Sequence, residues 1–240
     1  DDLKELLETK ECKKCELEGA NLKEANLEGA SLSSANLTGA NLEGANLTGA
    51  NLEEAYLTGA NLTGANLKEA NLEGASLFLA NLEEAYLTGA NLTRAILNGA
   101  ELNRANLVKA NLEGADLTEA NLEGANLTKA NLVKADLTKA TLTGARLEEA
   151  NLENAILFSS DLTGVTIEKE ALDSAHLCHT KLPDGKMSKC NLAEVNLSGA
   201  NLSWVNLTGA NLEEAYLTGA NLTGANLEGA NLMWANLTGS

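Results

Sequence analysis

Between Ala35 and Leu52 the chain reads ANLTGANLEGANLTGANL: small apolar, polar, large apolar, then two variable residues, returning every five. Leucines five apart fall about 140° apart on an α-helix and wander round it without forming a stripe. A helix is therefore excluded for these repeats. Inside one unit Ala35, Asn36 and Leu37 alternate as a very short strand does, with Ala and Leu facing the same way. Thr38 and Gly39 then read as a turn. Because every unit buries the same two places, the chain keeps turning about one axis, and the pattern predicts an all-β solenoid of short strands and corners. The central leucine recurs without a slip from Leu17 to Leu162, giving 30 units, and from Leu192 to Leu237 for 10 more.

Two stretches break the pattern. Residues 1–10, DDLKELLETK, put Leu3, Leu6 and Leu7 at i, i+3 and i+4, with Asp1 and Asp2 where acids suit a helix N-terminus. Such a short helix gains its stability by lying on the open end of the first coil and covering unpaired backbone groups. Between Gly164 and Asn191 no Ala-Asn-Leu survives, Glu170 stands where a buried Ala belongs, and Pro183-Asp184-Gly185 signals a turn. Ile167, Leu172, Leu177, Leu182 and Met187 keep the five-residue phase, so two readings are open: a loop protruding from the rod, or a degenerate coil. The divisions are then a helical cap with a cysteine pair over 1–15, repeats over 16–164, an insertion or irregular loop over 165–190, and repeats again over 191–240.

The A-(N/D)-L-x-x units resemble the pentapeptide-repeat family over about 200 of the 240 residues. The resemblance implies a right-handed quadrilateral β-helix with four pentapeptides per coil. Ten coils would make a straight rod roughly 48 Å long at about 4.8 Å per coil. Gly at the second turn place, as at Gly39, Gly44, Gly49 and Gly59, suits type II turns. Glu54, Glu69 and Lys129 there favour type I, so a mixture is expected.

Charge narrows the partners. With 34 acidic and 17 basic residues the net charge is −17, which disfavours direct contact with nucleic acid or an anionic membrane. No apolar run is long enough to span a membrane. The chain begins at Asp1 with no signal segment, which fits a trimmed chain and a mature exported protein equally.

Cys12 and Cys15 form a C-x-x-C just before the repeats, with Cys15 in the inward small-residue place. A local disulfide tying helix to coil, free buried thiols and a redox pair are all open to them, though no βαβ pattern accompanies the pair. The segment KECKKCELEGANL also resembles exported cyanobacterial members with paired cysteines before the first coil, which implies an oxidising compartment, periplasm or thylakoid lumen. Cys178 and Cys190 lie in the irregular stretch with the only histidines, His176 and His179. A disulfide closing the stretch, free thiols and a metal site are the alternatives, and the spacing matches no standard zinc finger. No metal and no cofactor is expected.

Catalysis has little to stand on: no phosphate-binding loop, no nucleophile elbow, and carboxylates spread over convex faces. A non-enzyme is expected. With four units per coil, residues 20 apart stack in columns. One column carries Tyr56, Ser76 and Ile96, with Phe78 and Leu79 on the neighbouring turn. Tyr56, Phe78, Leu79 and Ile96 are expected to form an exposed apolar patch, extended farther along by Ile156 and Phe158. At the far end Met233 and Trp234 are the bulkiest outward residues, candidates for folding over the rim or for an end-to-end homodimer in place of a monomer. Two functions follow. The first is a rigid, exported, non-catalytic scaffold for an unknown protein partner. The second, implied by family members that imitate DNA, is an acidic rod acting on a type II topoisomerase; Glu53, Glu54, Glu73, Glu113 and Glu153 favour it, and Lys68, Lys109, Lys129 and Lys134 interrupt it.

Overall fold

The computed structural model describes residues 2–240. Asp1, expected beside Asp2 at the helix start, lies outside them. Helix α1 spans Asp2–Thr9 and buries Leu6 completely. Leu3 packs on the first core, whereas Leu7 is exposed, so the apolar face is narrower than the spacing predicts. The Asp2 carboxylate accepts the Glu16 amide at 2.8 Å and ties the helix to the first coil.

From Glu11 onward every bridge but one pairs a residue with the one 20 farther on in parallel, as in Glu11↔Ser31, Asn36↔Tyr56 and Asp136↔Ile156. Four pentapeptides therefore make one coil. The central leucine donates its amide to the coil above (Leu107 N–H to the Asn126 carbonyl, 2.7 Å) and closes its own turn by accepting from the next alanine (Ala110 N–H, 2.9 Å). Leucine and alanine point inward and are buried throughout the middle of the stack. The asparagine between them turns outward. Its Oδ1 accepts the backbone amide two residues on, as from Glu43 to Asn41 at 3.1 Å, which holds the strand's exit into the turn. Stacked asparagines also bond to one another, Asn91 Nδ2 to Asn71 Oδ1 at 3.0 Å.

The turns are uniform, and the expected mixture is not found. Glu54, Glu69 and Lys129 have φ of 54°, 56° and 62°, in the same left-handed region as Gly39 at 65°. A type I turn would place that residue near −90°. The reason lies between coils: the amide of this second turn residue bonds the coil above, as Glu54 N–H does to the Glu73 carbonyl at 2.8 Å. Keeping that bond in every layer requires one turn shape in every layer, which outweighs the roughly 1–2 kcal/mol that a non-glycine residue costs there.

The single straight rod is also corrected. The first stack runs from Glu11 to Lys181, about eight and a half coils, and a second stack of about two and a half coils occupies residues 191–240. Among the described residues no parallel ladder joins the two. The irregular stretch closes the first stack and turns the chain. Helix α2, Lys169–Asp173, replaces one side of the last coil, and Ile167, Ala171, Leu172, Ala175 and Leu177 pack against the open leucine core. His176 and Lys181 rejoin the ladder, and an antiparallel bridge, Lys181↔Met187, reverses direction through a turn with Gly185 at φ 82°.

The second stack does not continue the axis of the first but sets its opening coil against the first stack's flank. Phe158, on an outer turn of the first stack, is fully buried and belongs to the second core with Leu192, Leu197, Leu202 and Leu207, one leucine from each side of that opening coil. An uncapped solenoid end exposes its leucines and unpaired backbone. Here the flank of one stack caps the end of the other.

Candidate functional site

Tyr56, Ser76 and Ile96 are consecutive rungs of one ladder, and Phe78 and Leu79 form the turn after Ser76. Tyr56, Phe78, Leu79 and Ile96 are 55%, 39%, 57% and 43% exposed, in columns that are mostly polar or glycine elsewhere. Leu79 lies over Gly99, where a Cβ would sit 2.7 Å from its Cδ2, so a larger residue in the next layer would make the Leu79 side chain shift. Charges stand to both sides: Arg94 pairs with Glu73 on the corner that leads into the face, and Arg104 with Glu83 and Glu84 on the far corner of the adjoining face. Glu53 and Glu54 stand on the first corner as well.

Farther up, the same columns are covered. Ile156 and Phe158 do not extend the exposed patch, because both pack against the second stack. Between the exposed and covered halves, Asp116 and Asp136 are adjacent rungs, at the place that most pentapeptides of the chain fill with asparagine. An asparagine pair can share an amide hydrogen; two carboxylates cannot. They line a cleft of about 580 Å³ with Lys134, Asn154 and, from the second stack, Asn196 and Asn201. Burial beneath the second stack raises the Asp136 pKa above 3.8, the Asp116 charge adds to it, and the Thr138 amide, which donates to Asp136 Oδ1 at 2.9 Å, opposes it.

A carboxyl whose folded pKa exceeds its unfolded one penalises the folded state once ionised. The penalty is absent below the unfolded value of 3.8 and grows as pH rises through the folded value. Asp136→Asn, which installs the residue most pentapeptides of the chain carry at this place, should therefore raise the melting temperature at pH 7. The gain should vanish in thermal melts at pH values below about 3.8. An equal gain at both pH values would assign it to packing instead.

Pentapeptide repeats, as a family, match eight copies along the chain, over residues 15–169 and 172–239. The chain belongs to the pentapeptide-repeat family. Family members form right-handed quadrilateral β-helices and are generally structural or binding proteins. This pentapeptide-repeat protein is similar to HetL, involved in heterocyst differentiation regulation in the cyanobacterium Nostoc: 34% identity over 99% of this chain and 96% of that one, TM-score 0.30. A second similar structure is a pentapeptide repeat protein of the Arabidopsis thaliana thylakoid lumen, 34% identical over 35% of this chain and 63% of that one, TM-score 0.32. A third is Rfr23 from the cyanobacterium Cyanothece, 29% identical over 62% of this chain and 91% of that one, TM-score 0.33. No curated protein matches.

The repeat protein's cysteines are bonded in sequence-local pairs, Cys12 with Cys15 and Cys178 with Cys190. The first bond joins the leucine and alanine places of the first turn, a span that later turns close by a hydrogen bond. It lies inside the coil and not between coil and helix; the helix is held by Asp2. The second links the last coil of the first stack to the entry of the second. Close by, His179 Nε2 lies 3.1 Å from the Thr208 carbonyl. His176 is partly buried, and that burial lowers its pKa.

Met233 and Trp234 are 52% and 80% exposed, and Trp234 lines a shallow groove with Tyr216. Column reading of the sequence missed other exposed aromatics. Tyr86 stands between Asn66 and Asn106 on another face, and Trp204 leans over Gly224 in the second stack. Both were open to the scan for asparagine or turn places held by an aromatic. The burial of Phe158 was not, since no periodic signal marks which face the second stack covers.

Proposed function

We propose that this pentapeptide-repeat protein is an exported, non-catalytic, rigid scaffold that binds another protein through Tyr56, Phe78, Leu79 and Ile96. The observation that carries this is the grouping itself: four large apolar side chains exposed on adjoining coils of a surface otherwise built of Asn, Thr and charge. Two disulfides support export. The net charge of −17 suits a partner with basic groups round an apolar centre. Met233 and Trp234 belong to the same reading as a second contact, with another protein or a second copy.

The test is affinity capture from the native compartment with the wild type and with Phe78→Thr/Leu79→Gly, the residues that neighbouring coils carry at these places. The variant should fold with a stability change within about 0.5 kcal/mol and lose the partner that the wild type retains. Equal retention by both would move the contact elsewhere on the scaffold. The runner-up, an acidic rod acting in place of DNA on a type II topoisomerase, also has the net charge in its favour. Basic residues break its acidic faces, as Arg94 and Arg104 do within their ion pairs. Inhibition of gyrase supercoiling at stoichiometric protein would favour it over the scaffold.

A further inference from the structure

We propose that the junction between the two stacks is a redox-gated metal site: when the Cys178–Cys190 bond is reduced, the two thiolates and His179 take up one thiophilic divalent cation such as Zn²⁺. The ligand atoms of Cys178, His179 and Cys190 all lie within 4.8 Å of one another. A tetrahedral zinc with bonds of about 2.3 Å to sulfur and about 2.0 Å to nitrogen has ligand atoms roughly 3.5–3.8 Å apart. Cleaving the disulfide lets the sulfurs separate to that distance, and Cys190 is placed to yield because it follows the exposed Lys186, Met187 and Lys189.

The Thr208 carbonyl sets the tautomer that this role needs. Its Nε2 faces the Thr208 carbonyl at 3.1 Å, and a carbonyl can only accept, so Nε2 carries the proton and Nδ1 keeps its lone pair. A backbone carbonyl fixing the tautomer of a ligating histidine is a recurrent outer partner in metal sites. Beside His179 and Cys190 an open groove of about 600 Å³, bordered by Ser188, Asn191, Thr208 and Asn211, gives water a way to the fourth coordination place.

The chemistry balances with an external reductant. A phosphine and water convert the disulfide to two thiols and phosphine oxide, and the cation then displaces two thiol protons as it binds. Either state clamps the same place, since Cys178 lies against the second stack's core and Cys190 leads into that stack.

The test uses the full chain carrying Cys12→Leu and Cys15→Ala, the residues of the regular repeat at those places, so that Cys178 and Cys190 are the only thiols. After reduction with a water-soluble phosphine, Co²⁺ titration should show one ion per chain with sulfur-to-cobalt charge-transfer absorption, bleached by Zn²⁺. The oxidised protein should show neither. His179→Asn, which tolerates the left-handed backbone at φ 50°, should weaken affinity at least about tenfold. If the doubly substituted background fails to fold, the reduced wild type and Cys178→Ala are compared, and one ion fewer per chain is expected for the variant. Stoichiometric free thiols without saturable cobalt uptake would overturn the proposal. So would an unchanged affinity and spectrum in His179→Asn, or equal uptake by the oxidised chain.

Discussion

Phe158→Ala should release the second stack from the flank of the first. Phe158 is fully buried and belongs to the core of the second stack, and truncating a buried Phe to Ala costs about 3–5 kcal/mol. Most of that cost falls on one contact, because the first stack keeps its own ladder and leucine core without it. Hydrogen exchange reads the difference: amides between 191 and 220 should lose protection by two to three orders of magnitude, at about 1.4 kcal/mol per factor of ten. Amides in the coils before Leu137 should keep theirs. Phe78→Ala is the control, the same side chain in the same column four coils earlier, partly exposed and free of the second stack. Its effect should stay below about 1 kcal/mol. Matching exchange profiles for the two variants would mean that Phe158 does not hold the stacks together.

Leu107→Ala is expected to destabilise the first stack by about 2–5 kcal/mol. Leu107 is 1% exposed at mid-stack, and the coils above and below are held in register by the ladder, so little can collapse into the space it leaves. Glu113→Ala, a coil corner away and exposed, should change stability by no more than about 0.5 kcal/mol. Urea unfolding followed by circular dichroism separates them. Equal midpoints would contradict a core built from one leucine per pentapeptide.

Much of this architecture is legible residue by residue. Ala35, Asn36 and Leu37 declare which side faces in, and because every unit repeats the statement, the register of each coil on the next has one solution that buries all the leucines. The cap is legible for the same kind of reason: Leu3 and Leu6 share a helical face with nowhere to go but an open coil. The exposed patch follows from arithmetic, since residues 20 apart stack and Tyr56, Phe78, Leu79 and Ile96 stand where other coils have small or polar groups.

Three features were decided only in three dimensions. Glu54 and Lys129 adopt the glycine-like turn because neighbouring layers hold them to a shared hydrogen-bond pattern, a constraint that local preference does not contain. The irregular stretch at 165–190 lids one stack and starts another, with Leu172 and Leu177 packed inward although their repeat context is lost. Phe78 and Phe158 occupy equivalent places, yet one is a surface side chain and the other the centre of a joint. A repeat sequence specifies contacts between adjacent coils, and it specifies them many times over. The meeting of two stacks is a single long-range contact with no period, set by how the chain turns at Pro183–Gly185 and by which flank lies within reach of an uncapped coil.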